Sequence, residues 1–199
     1  MTQDEIWNHN VHHQKILLSA LPASCKSALD IGCGQGFLLR HVAARVDEVV
    51  AIDQHGPSLT EAARRTAHLD NVRLIEGDAM THHFERTFDA VLSIAVLHHL
   101  PLVAALERMR QLTSPGGLVG IIGLARSTSP RDYIRDGFGA VETHIRQLRR
   151  PHTMVTAPIR DPDETYREIR VAARTVLPGA RFRRHNLFRY SLLWIRPHD

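Results

Sequence analysis

The chain has 199 residues, 43% of them hydrophobic and 23% charged, with a formal net charge of +4. These values suit an ordinary globular domain and exclude a disordered or collagen-like chain. No run approaches the roughly 20 apolar residues of a membrane-crossing helix, so no membrane association is expected.

Residues 6–20 read as a helix, because Trp7, Val11 and Leu18, with Ile16 and Leu17, recur at near-helical spacing until Pro22 ends the pattern. The apolar run 28–31 is a first strand and leads into Gly32-Cys33-Gly34-Gln35-Gly36. Residues 37–44 are helical, 49–52 form a buried strand closed by Asp53, and 57–68 form a helix with Pro57 suited to its first turn. A third strand, 72–75, ends at Glu76-Gly77-Asp78. A fourth, 88–94, is nearly all apolar, as a strand covered on both faces should be. The helix over 102–112 is stopped by Ser114-Pro115-Gly116-Gly117, and 118–122 is a fifth strand. Strands and helices alternating at this spacing predict a parallel sheet with right-handed crossovers.

The last third departs from that rhythm. A helix is expected over 131–148, then an extended stretch with Pro151 and Pro158, then a helix over 163–176 with Asp161 as its cap. After Pro178-Gly179, segments 180–188 and 189–196 can pair as a closing hairpin. No repeat, low-complexity tract or second-domain boundary stands out. The expectation is one domain over 1–199: an N-terminal helical lid (1–22), a cofactor-binding core (23–125), and a substrate-side insertion with closing elements (126–199).

Cys25 and Cys33 are the only cysteines, too few for a disulfide framework, so both are expected as reduced thiols of a cytoplasmic protein. The acidic opening Met1-Thr2-Gln3-Asp4-Glu5 is unlike a secretion leader. Lys15 and Lys26 are the only lysines, and the arginines concentrate in runs such as 146–150 and 181–184. Such runs suit an acidic partner, or simply a solvated surface. No His, Cys or carboxylate grouping has zinc-site spacing, so no metal is expected.

A strand that turns at once into a helix needs residues tolerant of unusual backbone angles, and a ligand approaching main chain needs bare Cα atoms. The glycine loop meets both demands, although a tight turn alone would ask for the first. Asp53 ends the second strand about 20 residues later, where an acid can accept hydrogen bonds from two ribose hydroxyls. Nicotinamide and adenosylmethionine sites share that device.

The motifs as a series are more specific. Asp30-Ile31-Gly32-Cys33-Gly34-Gln35-Gly36, Asp53, Glu76-Gly77-Asp78-Ala79, Phe88-Asp89-Ala90-Val91-Leu92-Ser93, Leu97-His98-His99-Leu100 and Ser114-Pro115-Gly116-Gly117 follow in order. Over residues 27–123 the chain resembles the class I S-adenosylmethionine-dependent methyltransferases, especially the small-molecule branch with ubiquinone- and menaquinone-type enzymes. The resemblance implies a Rossmann-like doubly wound α/β fold: a seven-stranded, mostly parallel sheet with a C-terminal antiparallel hairpin. It implies S-adenosylmethionine as cofactor, S-adenosylhomocysteine as product and a small-molecule acceptor.

By position, Gly32, Cys33 and Gly34 would line the methionine part, with Asp30 orienting the loop. Asp53 would hold the ribose and Gln54 would pack beside the adenine. Asp78 would accept from the adenine amino group, Ala79 would offer its N–H, and Ser93 and Ile94 would face the amino-acid moiety. His98 and His99 are the candidate proton acceptors beyond strand four, although such a pair also serves structurally. Trp7, His9, Asn10, His12 and His13 are lid candidates, or else polar positions of a solvated helix. His82-His83 reads as a surface turn, and Gly116-Gly117 as a plain turn.

Three rival readings share parts of this pattern. A nucleic-acid methyltransferase would use the arginines, but the Asn-Pro-Pro-aromatic motif of base-amino methylation is replaced here by Ser93-Ile94-Ala95-Val96. A nicotinamide oxidoreductase shares the loop and the acid but would need catalytic residues that are not evident. A non-catalytic adenosylmethionine-binding domain would carry the same binding motifs.

Overall fold

The computed structural model describes residues 9–128, 160–186 and 189–198. The predicted lid residue Trp7 and the predicted helix over 131–148 lie outside them. Seven strands form one sheet in the order β3-β2-β1-β4-β5-β7-β6. They are β1 (Ser27–Ile31), β2 (Glu48–Asp53), β3 (Val72–Glu76), β4 (Phe88–Ile94), β5 (Thr113–Gly123), β6 (Arg181–Arg184) and β7 (Tyr190–Ile195). The first five are mutually parallel, and β7 runs antiparallel to both β5 and β6. This is the expected doubly wound sheet with its closing hairpin.

Among the described residues, five helices cover the two faces: α1 (His9–Ala20), α2 (Leu39–Ala43), α3 (Gly56–Thr66), α4 (Leu102–Leu112) and α5 (Tyr166–Val176). Period-two alternation along the strands divides the core between them. Leu17 of α1, Leu39 and Val42 of α2 and Leu59 of α3 pack with Ala28, Val49, Ala51 and Leu92 on one face. Leu106, Met109, Ile169 and Ala173 of α4 and α5 pack with Leu29, Val91, Val119 and Leu192 on the other. The central strands are therefore buried on both sides, which explains why β1, β2 and β4 read as apolar runs rather than alternating ones.

Two expectations are corrected. Ser114-Pro115-Gly116-Gly117 does not stand before β5 as a separate turn. The strand begins at Thr113, paired with Phe88, and its register shifts before Leu118 pairs with Ala90. Meanwhile Gly116 N–H donates to the Arg196 carbonyl, and Arg196 N–H donates to that of Gly117. Proline is tolerated here because the irregular register leaves its missing N–H without a ladder role. The cap of α5 is Thr165 rather than Asp161: its hydroxyl accepts from Glu168 N–H while the Glu168 carboxylate accepts from Thr165 N–H, a reciprocal capping box.

The order of strands reverses between β1 and β4, one leading outward to β2 and β3 and the other to β5. A crevice opens beyond the carboxyl ends at such a point, and the glycine loop, Asp53, Asp78 and the His98-His99 turn follow those ends, whereas Ser114-Pro115-Gly116-Gly117 opens β5 at the opposite end of the sheet.

Candidate active site at the strand carboxyl ends

The glycine loop is pinned to β2, for the N–H groups of Gly32 and Cys33 both donate to the Ile52 carbonyl, at 2.8 and 3.3 Å. Gly32, Gly34 and Gly36 all have positive φ, at 70°, 53° and 76°, where a Cβ would be strained. Their surroundings differ. A Cβ on Gly32 would collide with the Val96 side chain, and one on Gly36 would lie 3.0 Å from Ala62 of α3. A Cβ on Gly34 would meet nothing within 4 Å. Thus Gly32 admits the segment after β4, Gly36 admits a helix, and Gly34 borders open space.

Asp53 stands beside that space. Its Oδ2 accepts from Gly34 N–H at 2.7 Å and its Oδ1 from His55 N–H at 2.8 Å, so the carboxylate is oriented toward the loop. Gln54 next to it is exposed. Asp30, only 3% exposed, lies at the end of β1. Burial, reinforced by the Asp53 charge, pushes its carboxyl up to about 7. The same two acids and burial act on Cys33. Burial is the largest cause, and its thiol is held far above the ordinary range, which makes it inert as a nucleophile. Cys25, also a free thiol, is raised to about 11, chiefly by burial.

Beyond β3, Asp78 folds its own turn. Its Oδ1 accepts from Met80 N–H at 2.8 Å, and its carbonyl accepts from the N–H groups of Thr81 and His82. Arg108 of α4 clamps that turn by donating to the carbonyls of Ala79 and His82. Ala79 is thereby buried and fixed. His82 packs edge-on against Phe84, and His83 is exposed, as a surface turn requires.

Beyond β4, buried Ser93 donates its hydroxyl to the Ile31 carbonyl at 3.0 Å and so ties β4 to the entrance of the glycine loop. Half-buried Ile94 ends the strand. The chain then turns at Ala95, whose φ of 58° is the one positive value among the described non-glycine residues. Such a residue requires its surroundings to enforce it. Here the Ala95 N–H donates to Ile122 at 2.7 Å, and Val96 occupies the space that Gly32 leaves.

The 3-10 turn Leu97–His99 follows. The rings of His98 and His99 lie 4.1 Å apart between centroids. His98 is 8% exposed, and its Nδ1 is enclosed without a hydrogen-bond partner. Burial first, then His99, Arg189 and Arg160, push its imidazole down to about 4. His99 is lowered by burial and by Arg160. Arg189, 7% exposed, is itself pushed down to about 10 by burial, with Tyr166 opposing.

Of the lid candidates, buried His13 meets His12 edge-on and lies 5.5 Å from His185, beside the Ser191 hydroxyl that pairs with His185. It therefore does not face solvent, and it joins α1 to the β6–β7 connection. His9 and Asn10 begin α1. Sequence reasoning missed Val96, Arg108, Arg160 and Arg189. The first two serve through contacts far along the chain, and only the general excess of arginine pointed to the others. Among the described residues, no group of three or more His, Cys, Asp or Glu side chains is arranged to hold a metal ion, and no helix is long and apolar enough to cross a membrane.

A glycine loop at a topological switch point, followed by acids ending β2 and opening the turn after β3, defines an α/β nucleoside-binding protein. Its relatives narrow this class. A family profile described as a methyltransferase domain matches residues 28–117. An uncharacterized methyltransferase of Mycobacterium tuberculosis is 32% identical over 197 residues, 98% of this chain and 99% of that one. A demethylmenaquinone methyltransferase of Staphylococcus aureus is 31% identical over 127 residues, covering 61% of this chain and 53% of the relative. Among solved structures, the amino pentose methyltransferase CalS10 of Micromonospora echinaspora has a TM-score of 0.64 at 19% identity, covering 94% and 89% of the two chains, and shares the fold. The chain belongs to the class I S-adenosylmethionine-dependent methyltransferases.

Proposed function

We propose that this methyltransferase carries the methyl group of S-adenosylmethionine to a small-molecule acceptor bound beyond β4 and β5. The observation that carries the reading is the pairing of open space at Gly34 with the Asp53 carboxylate held at its edge. A nucleoside whose amino-acid tail runs along bare main chain fits that cradle.

In this reading Asp53 takes the ribose hydroxyls and Gln54 covers the adenine edge. Asp78 accepts from the adenine amino group, with the Ala79 N–H held against the ring by the Arg108 clamp. Backbone at Gly32, Cys33, Gly34, Ser93 and Ile94 lines the methionine part. Asp30 complements the positive charge of the bound cofactor. S-adenosylmethionine supplies an electrophilic methyl on sulfonium sulfur and leaves as a neutral thioether. The chain's own contribution is alignment and exclusion of water. His98, uncharged at neutral pH, orients the acceptor by hydrogen bonding and is a poor proton acceptor; His99, at the rim, shields it.

Calorimetry with S-adenosylmethionine, S-adenosylhomocysteine and NAD tests the cofactor assignment. Both adenosyl ligands should bind at one site, and tighter binding of NAD would defeat the reading.

A further inference from the structure

The turn that follows β3 is held differently from the other connections of the parallel sheet. Every other step between consecutive parallel strands passes through a helix: α2 from β1 to β2, α3 from β2 to β3, and α4 from β4 to β5. Residues 77–87, which lead from β3 to β4, contain none. A helix satisfies its own carbonyls along its axis, whereas a coil laid over an apolar face must find donors elsewhere. Ala79 is buried in that face, with Met80 and Phe84 packed against it.

Arg108 supplies the donors from α4. Its Nε donates to the Ala79 carbonyl at 3.2 Å, its guanidinium also donates to the His82 carbonyl, and the group lies 5.8 Å from the centre of the Phe84 ring. Leu106 and Met109 on either side of it are core residues, so the backbone that carries it is fixed. The Ala79 carbonyl belongs to the same planar peptide unit as the Met80 N–H, which donates to Asp78 Oδ1 at 2.8 Å. That one plane is gripped at both ends, by Arg108 at the oxygen and by Asp78 at the nitrogen. Turning it would break both bonds.

Building on the methyltransferase reading, in which Asp78 meets the adenine amino group, we infer that Arg108 is a positioning residue for the cofactor's base. By fixing the Ala79–Met80 peptide it holds the Asp78 carboxylate and the Ala79 N–H in one orientation, and so sets a preference for adenine. The start of the turn is fixed independently, since Gly77 N–H donates to the Asp53 carbonyl at 2.9 Å. Arg108 thus governs the base rather than the ribose. Two carbonyls three residues apart need donors at a set spacing, which the rigid fork of a guanidinium offers and an ammonium does not.

The probes are S-adenosylhomocysteine and S-inosylhomocysteine, titrated calorimetrically into the full chain. Adenine presents an amino donor beside a ring-nitrogen acceptor, and hypoxanthine presents an oxo acceptor beside a ring N–H. The unsubstituted protein should prefer the adenosyl ligand about 100-fold, because reversed polarity leaves Asp78 and Ala79 facing like partners. Arg108→Met keeps an unbranched, helix-forming side chain. It should weaken the adenosyl ligand about tenfold and leave the inosyl ligand little changed. Arg108→Lys, able to restore one of the two bonds, should fall between. Hydrogen exchange at the amides of Met80, Thr81 and His82 should quicken about tenfold in Arg108→Met, while that of α4 and β4 stays the same.

Equal weakening of both ligands, a preference that both variants keep, or unaltered exchange in the turn would overturn the inference. Binding of the two ligands without preference in the unsubstituted protein would overturn it together with the Asp78 assignment. Absence of S-adenosylhomocysteine binding would instead count against the cofactor reading, and the exchange arm would still decide whether Arg108 holds the turn.

Discussion

The two sides of the crevice are built by different means. Around the glycine loop, the lining is main chain and carboxylates: bare Cα atoms, N–H groups pinned to β2, and the acids Asp30 and Asp53. Across from it, beyond β4, stand side chains drawn from distant segments, with the charges of Arg160 and Arg189 acting on His98. The two sides thus differ in the sign of the charged groups that stand near them. Main-chain recognition leaves a dense local signature, whereas recognition by scattered side chains leaves almost none.

Glycine substitutions should separate the loop's packing role from its binding role most sharply. Gly32→Ala combines a collision with Val96 and a left-handed backbone, and is expected to destabilise the fold by about 3 kcal/mol or more in denaturant unfolding. Gly34→Ala faces open space and should cost only about 1–2 kcal/mol of stability while abolishing measurable cofactor binding. Equal stability losses in the two would dissolve the distinction between these neighbours.

Asp53→Ala should weaken S-adenosylhomocysteine by about 1–3 kcal/mol in calorimetry, and should also lower thermal stability through the loss of its bonds from Gly34 and His55 N–H. Unchanged affinity removes Asp53 from the ribose site.

Asp30 gives a pH signature. Because burial raises its folded-state value to about 7, the folded protein holds a proton that the unfolded chain releases near 4. Stability should therefore fall as pH rises from about 4 to 7 and level off above, by about 4 kcal/mol. Asp30→Asn should flatten that slope in urea midpoints measured across pH, and a persisting slope would assign it to other groups. Cofactor affinity should rise over the same interval in the unsubstituted protein, as the charge needed beside a cation appears.

His98 makes the opposite case. With its imidazole pushed down to about 4, it stays neutral through the range where an ordinary histidine titrates. His98→Asn should lower kcat/KM less than tenfold, against the 100-fold or more expected on removing a general base. A rate that falls with acid through pH 6–7 in the unsubstituted protein, and no longer does so in the variant, would restore the base. The smallest effect is away from the site: Thr165→Ala removes the cap of α5 and should cost about 1 kcal/mol in thermal unfolding.

The sheet and the cofactor loop were legible because their causes are local. Apolar runs such as 88–94 mark strands covered on both faces, and a glycine that needs positive φ announces itself. Pro115 misled because its placement depends on an irregular register with β4 and on Arg196, 81 positions away. Asp161 misled because several acids precede α5, and only the reciprocal bonds with Glu168 single out Thr165. Arg189 and Val96 were opaque for a plainer reason: an arginine beside a strand and a valine in an apolar run look ordinary until the topology sets them against the crevice.

The contact between Val96 and Gly32 links the two halves mechanically. The valine stands two residues before His98 and rests where the cofactor loop has no side chain to yield. The segment leading to the histidine can therefore sit this close to the loop only while position 32 carries no side chain. Close packing at one bare Cα thus fixes how near the end of β4 comes to the end of β1.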